Sequence, residues 1–81
     1  MGSRTRPRPE HLASKLKAIR LKLGLSQNEL IERLGAANWL VRNSVSAFER
    51  GESEPSLPIL LRYARLAQVS TDVLIDDELD L

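Results

Sequence analysis

The feature that most constrains this chain is the spacing of its apolar residues, which recur every three or four positions in short stretches. The first stretch contains, in order, Leu12, Leu16, Ile19 and Leu23, followed by Gly24. This spacing places the apolar side chains on one face of a helix, and a glycine after the last of them is typical of a helix C-terminus. No part of the chain shows the alternation of apolar and polar residues that indicates strands. The pattern therefore predicts an all-α fold.

Capping and turn residues predict where the second and third helices lie. Ser26 and Glu29 have the spacing of a capping box, so the second helix is expected to begin after Ser26 and to end at Gly35. Asn38 is a favourable N-cap residue and is expected to begin the third helix, which Gly51 closes. The apolar residues assigned to this third helix are Trp39, Leu40, Val41, Val45 and Phe48.

Two serines predict the last two helices. Ser56 is expected to cap the fourth helix, with Pro58 tolerated in its first turn, and Ser70 is expected to cap a short fifth helix over residues 71–75. The residues assigned to the buried face of the fourth helix are Leu57, Leu60, Leu61, Ala64 and Ala67. The basic residues assigned to the outer faces of the first helix are Lys15, Lys17, Arg20 and Lys22.

Chain length and charge indicate the domain organisation. Eighty-one residues suffice for one domain only, which we expect over residues 10–75, between a basic arm at 1–9 and an acidic tail at 76–81. Residues 1–50 carry ten Lys and Arg against four Asp and Glu, a net charge of +6. Residues 51–81 carry two Arg against seven Asp and Glu, a net charge of −5. This division indicates that the N-terminal part faces a polyanion.

Composition argues against several classes of protein. Without Cys and with a single His, the chain has no disulfide and no expected metal site. Ser26 has no His or Lys partner in a recognisable arrangement, and the carboxylates show no acid/base spacing, so we expect neither an enzyme nor a cofactor. No apolar run reaches the roughly 20 residues that span a bilayer. We therefore expect a cytoplasmic protein without a membrane partner.

The order of the motifs resembles the Cro and phage-repressor type helix-turn-helix family, also called the xenobiotic-response-element family. The resemblance covers roughly residues 12–75 and implies a five-helix, lambda-repressor-like DNA-binding domain with double-stranded DNA as its partner. The segments that carry it are IR at 19–20, LGLSQNEL at 23–30, LG at 34–35, VSAFERG at 45–51, PSL at 55–57 and DVLI at 72–75.

The resemblance also assigns residues to DNA contacts. Arg42, Asn43 and Ser46 match the positions that face base edges, and chemistry agrees, since Arg pairs with guanine and Asn with adenine. Gln27 and Arg50 match phosphate contacts, whereas Glu49 matches a residue that bonds within the domain. Two further residues are expected on phosphates, Ser26 and Arg20.

The chain departs from the family in the turn. Gly35 and Gly51 lie sixteen positions apart, about four more than is usual between these glycines in the helix-turn-helix motif. The extra residues lengthen the turn or extend the recognition helix at its N-terminus. Asn38 could then contact bases, and Trp39 either fills the space beside the turn or contacts DNA or a partner. Ile31 stands where the family generally has Ala, so the third helix could also be displaced.

These observations predict a sequence-specific transcriptional regulator, a repressor rather than an activator, that binds two half-sites as a homodimer and associates with the bacterial nucleoid. The basic arm could enter a minor groove or remain solvated. The expected dimer surface could instead pack under the fourth helix. The arm residues are Arg4, Arg6 and Arg8, and the dimer residues are Val69, Val73, Leu74 and Ile75.

Two other functions fit the same sequence. An antitoxin or adaptor would use the acidic tail, whose acidic and apolar residues alternate, to bind a protein partner. An architectural protein would bind DNA without sequence preference, through phosphates alone.

Overall fold

A computed structural model describes residues 8–81 of the chain. This part contains five helices, as the apolar spacing predicts: α1 (Leu12–Lys22), α2 (Gln27–Arg33), α3 (Arg42–Glu49), α4 (Leu57–Ala67) and α5 (Thr71–Ile75). Each helix contributes one large and fully enclosed side chain to a single core. These are Leu16, Leu30, Val45, Tyr63 and Leu74, in the order of the helices.

Local capping explains where α2 and α4 begin. The Ser26 hydroxyl accepts a hydrogen bond from the Glu29 amide at 3.0 Å, and the Glu29 carboxylate accepts one from the Ser26 amide at 2.8 Å. These bonds hold the pKa of Glu29 below its usual value. The Ser56 hydroxyl accepts from the Ile59 amide in the same way. The predicted capping box and the predicted start of α4 are both confirmed.

The prediction that α3 begins at Asn38 is wrong, because α3 begins at Arg42. Residues 36–41 form a compact turn instead, in which the amides of Trp39 and Leu40 both donate to the Ala36 carbonyl at 2.9 Å. Ala36 is fully buried, which fixes the turn on the core. The extra residues therefore lengthen the turn and do not extend the recognition helix.

Several predictions of burial are also wrong. Leu57 is 80% exposed and Leu61 is 40% exposed, while Ile59 and Tyr63 are buried in their place. Leu57 is the first residue of α4, and the buried face passes through the positions four apart at 59 and 63. Leu23 is likewise 39% exposed. Ile31 is buried in the core at 5% exposure, so the core accommodates its larger side chain.

The acidic segment 76–81 is attached to α1 and does not extend as a tail. The Asp77 carboxylate accepts hydrogen bonds from the Glu10 amide at 2.8 Å and the His11 amide at 3.1 Å, which caps the N-terminus of α1. Lys15 is 7% exposed, so its assignment to an outer face is wrong. Its ammonium donates to three carbonyls, those of Val73 at 2.7 Å, Asp76 at 3.0 Å and Leu79 at 2.8 Å.

None of the helices within residues 8–81 has both the length and the apolar character that crossing a membrane requires.

Candidate nucleic-acid interface

The first turn of α3 presents two polar side chains to solvent. Arg42 and Asn43 are both exposed, and neither has a polar partner within residues 8–81. Val45 and Phe48 turn the opposite face of the helix into the core. An exposed Arg and Asn at a helix N-terminus can each form two hydrogen bonds with one base in the major groove. The face opposite the core is therefore chemically suited to bind base edges.

Ser46 lies further along α3, and it bonds to Arg50, the residue directly after the helix. The Arg50 guanidinium donates to the Ser46 hydroxyl and also to both carboxylate oxygens of Glu52, at 2.9 Å each. The guanidinium holds the pKa of Glu52 below its usual value. Both charged side chains are more than half exposed, and such surface pairs contribute little to stability. Arg50 can therefore exchange Glu52 for a phosphate at small cost.

Arg20 is not available as a phosphate contact. Its guanidinium donates to both carboxylate oxygens of Glu49, at 2.7 and 2.9 Å, and to the Leu25 carbonyl at 3.0 Å. The Arg20 side chain is only 13% exposed and the Glu49 side chain only 5%. The pair joins α1 to the C-terminal end of α3, so Arg20 belongs to the scaffold. Glu49 bonds within the domain, as the resemblance implies.

The start of α2 lies against the end of α3. Gln27 is half-buried, and its side-chain amide donates to Glu49 at 3.4 Å. Ser26 is exposed, but its hydroxyl oxygen already accepts from the Glu29 amide. What remains free for an anion at Ser26 is the O–H donor.

Comparison with known proteins identifies this arrangement. The helix-turn-helix family profile matches residues 16–74. The chain belongs to the helix-turn-helix family of the Cro and phage-repressor type. A helix-turn-helix transcriptional regulator of Bacillus subtilis (strain 168), ImmR, is 38% identical over 64 residues, which are 79% of this chain and 47% of ImmR. This chain thus spans about half of the length of that relative.

Solved structures of similar fold include a repressor and a restriction-modification controller protein. The P22 c2 repressor in complex with a synthetic operator is 29% identical, with a TM-score of 0.70 over 82% of this chain and 94% of that chain. The restriction-modification controller protein C.AhdI from Aeromonas hydrophila is 30% identical, with a TM-score of 0.64 over 79% of this chain and 91% of that chain. These matches confirm the predicted lambda-repressor-like fold.

Asn38 and Trp39 lie in the lengthened turn of this helix-turn-helix domain, before the start of α3. Both are exposed, Trp39 at 62%, so Trp39 does not fill an interior space. One face of its ring is covered by Arg62 of α4, whose guanidinium carbon lies 4.6 Å from the ring centroid. No local sequence pattern indicates this contact of Arg62, because Arg62 lies on a helix distant in the chain.

The structure describes only part of the basic arm of the helix-turn-helix domain. Arg8 is exposed, and its side chain lies 3.5 Å from the Glu54 carboxylate, in the loop after α3. Arg4 and Arg6 lie outside the described residues.

The residues assigned to a dimer surface divide into two groups. Leu74 is fully buried, since it is the inward-facing residue of the short α5, and it has no surface left for a partner. Val69 and Val73 are half-buried. Ile75 is 44% exposed, next to Leu79 at 40% and Leu81 at 51%. Leu74 is therefore excluded from the proposed surface, and Ile75 is its most exposed member.

Proposed function

We propose that this protein is a sequence-specific, double-stranded DNA-binding transcriptional regulator, and a repressor rather than an activator. The observation that carries the proposal is the exposed and unpaired Arg42 and Asn43 at the start of α3, in a chain of the Cro and phage-repressor type. The related P22 c2 repressor has been solved on an operator, and ImmR is a transcriptional regulator.

In the proposed complex, α3 enters the major groove, which is about 12 Å wide and admits one helix. Arg42, Asn43 and Ser46 contact base edges, with Asn38 at the margin of the groove. Gln27, Ser26 and Arg50 contact phosphates on either side. The buried pair of Arg20 and Glu49 keeps α3 at a fixed angle to α1, so the base-contacting side chains arrive already oriented.

We propose a dimer because the recognition surface is small. One helix of eight residues makes few base contacts, and proteins of this architecture bind two half-sites one or more DNA turns apart. We place the contact between subunits at the C-terminal end of the domain, with Ile75, Val73 and Val69. We also propose that the arm residues Arg4, Arg6 and Arg8 reach DNA beside the domain.

The same proposal implies where the protein works and what it lacks. A regulator of this kind acts on the chromosome, in the nucleoid of the bacterial cytoplasm. It requires no catalytic group and no cofactor, because recognition consists of hydrogen bonds and ion pairs. Residues 10–75, together with the attached segment 76–81, form the DNA-binding domain in this scheme.

The alternative of an antitoxin or adaptor has less support. It requires residues 76–81 to be free to bind a partner, but Lys15 and Asp77 bond this segment to α1. The alternating acidic and apolar residues of this segment have a use within the domain itself.

The proposal is tested by selecting DNA from a random pool and then measuring affinity for the selected site and for a scrambled version at one salt concentration. We expect the selected site to bind at least about a thousandfold more tightly. The region of the selected DNA that the bound protein protects should contain two related half-sites. Equal affinity for both DNAs, with the same steep salt dependence, would instead indicate an architectural protein held by phosphates.

A further inference from the structure

The lengthened turn is joined to α4 by a single arginine. Arg62 is half-buried, and its Nη1 donates to the carbonyls of Leu34 and Gly35, at 2.9 Å each. These carbonyls lie at the C-terminus of α2, where helix carbonyls lack partners and carry partial negative charge. The Arg62 guanidinium therefore caps α2 from another helix.

The same guanidinium also holds the middle of the turn. Its carbon lies 4.6 Å from the centroid of the Trp39 ring, within the roughly 6 Å over which a cation is attracted to an aromatic face. Trp39 is itself tied to Ala36 through its amide. A Cβ at Gly35 would lie 3.1 Å from Nη1 of Arg62, so the residue without a side chain permits this close approach.

The two ends of the recognition helix are held in different ways. The C-terminal end of α3 is fixed by the ion pair between Glu49 and Arg20. The N-terminal end begins at Arg42, directly after the turn, and the residue before it, Val41, is 65% exposed. The position of Arg42 therefore depends on the turn as well as on Val45, which is buried one helical turn further on. Arg62 fixes the turn where it begins and at Trp39.

We propose that Arg62 is a positioning residue for DNA recognition, which sets where α3 begins and so which bases Arg42 and Asn43 meet. This inference rests on the proposed function. Arg62 acts through the turn and does not touch DNA. It compensates for the additional residues, because a longer turn without an anchor would let the start of α3 move.

The test compares Arg62→Met with Arg65→Met. Arg65 lies on the same helix and is exposed, and its side chain has no polar partner within residues 8–81. Both variants therefore lose one positive charge. We expect Arg62→Met to lower the affinity ratio between selected and scrambled DNA by about tenfold or more, the effect of one misplaced base contact. Arg65→Met should keep the wild-type ratio. Equal ratios in the two variants would overturn the proposal.

A second measurement reports on the turn without DNA. Trp39 is the single tryptophan of the chain, so its fluorescence observes the contact with Arg62 directly. Arg62→Met should shift the emission to longer wavelength and make the ring more accessible to acrylamide, while Arg65→Met leaves both unchanged. An unchanged spectrum in Arg62→Met would overturn the anchoring role.

Two other results are possible, an unfolded variant and a wild-type protein without sequence preference. If Arg62→Met is unfolded at the assay temperature, Arg62→Gln replaces it, since the glutamine amide can keep a hydrogen bond to the carbonyls but carries no charge to face Trp39. A wild-type affinity ratio in folded Arg62→Gln would then overturn the proposal. If the wild-type protein itself prefers no sequence, the proposed function fails, and a fluorescence difference would leave Arg62 as a structural cap alone.

Discussion

Three arginines among the described residues have different surroundings, and each favours a different role. Arg20 is enclosed with Glu49, Arg62 bonds to two backbone carbonyls, and Arg42 is exposed without a partner in the described structure. A guanidinium that already satisfies its donors within the fold has few left for DNA. Arg42 is therefore the residue we expect to contribute most to base preference.

Substitution of Arg42 tests this assignment. Arg42→Ala should abolish the preference at one base pair, at a cost of about 1–3 kcal/mol for the selected site. Arg50→Ala is the matched control, since a lost phosphate contact weakens binding to all sequences alike and lowers the salt slope by about one. Titrations of selected and scrambled DNA at several salt concentrations measure both the base preference and the salt slope. An intact base preference in Arg42→Ala would mean that the long turn brings another side chain to the bases.

The pair of Arg20 and Glu49 leads to a prediction about stability. Glu49→Gln leaves a largely buried guanidinium without its counter-charge, and breaking such a pair costs about 3–5 kcal/mol. We expect the lower end of this range, because Arg20 retains its bond to Leu25 and some contact with water. Urea denaturation measures the loss. Glu32→Gln, at an exposed position of α2, should change the free energy of unfolding by less than about 0.5 kcal/mol, and an equally small change in Glu49→Gln would contradict the prediction.

Between elements, the most consequential contacts join α1 to the C-terminal segment. The Lys15 ammonium donates to three carbonyls within residues 73–79, and the Asp77 carboxylate caps the N-terminus of α1. Each end of the interaction thus satisfies backbone groups that a helix or turn leaves without partners. The segment completes the fold of α1.

The cap from Asp77 predicts how stability depends on pH. The amides of Glu10 and His11 lower the pKa of Asp77 below its ordinary value of 3.8. The charged carboxylate therefore stabilises the fold at pH values above 3.8, and this contribution is lost as the pH falls through the lower, folded-state pKa. Asp77→Ala should be less stable than the wild type at neutral pH, and the difference should shrink in acid.

Urea denaturation at a series of pH values measures this difference. Asp80→Ala is the matched control, because Asp80 is exposed and has no polar partner within residues 8–81. A difference between wild type and Asp77→Ala that stays constant down to strongly acidic pH would argue against the cap.

The contrast between local and distant contacts explains what the sequence could predict of these elements. The bond between Ser26 and Glu29 spans three residues, and a short motif encodes it completely. The bonds of Lys15 and Arg62 span 58 and 28 residues, and no local pattern specifies the partner. One signal was present, since Lys15 is three residues after Leu12 and four before Ile19, on the buried face of α1. At the site, Arg42 and Asn43 followed from the motif, whereas the start of α3 depended on the fold of the turn.

At the scale of the whole molecule, charge is divided along the chain. The basic half carries the recognition helix, while the acidic half carries α5 and the exposed Ile75, Leu79 and Leu81. Dimerisation through the acidic half would leave the side chains of the recognition helix uncovered by the proposed contact. It would also cover apolar side chains that a monomer leaves in water.

Substitution of Ile75 tests this arrangement. Ile75→Asp places a charge in the proposed contact and should weaken self-association by about tenfold or more, as expected when a central apolar contact is lost. Leu57→Asp is the matched control, because Leu57 is 80% exposed and lies on another helix, and it should leave association unchanged. Leu74→Asp is unsuitable, since a buried charge would unfold the domain. Sedimentation at micromolar concentration measures the outcome, together with binding to DNA that carries one or two half-sites. If Ile75→Asp sediments like Leu57→Asp and retains the advantage of two half-sites, the subunits meet through a different surface.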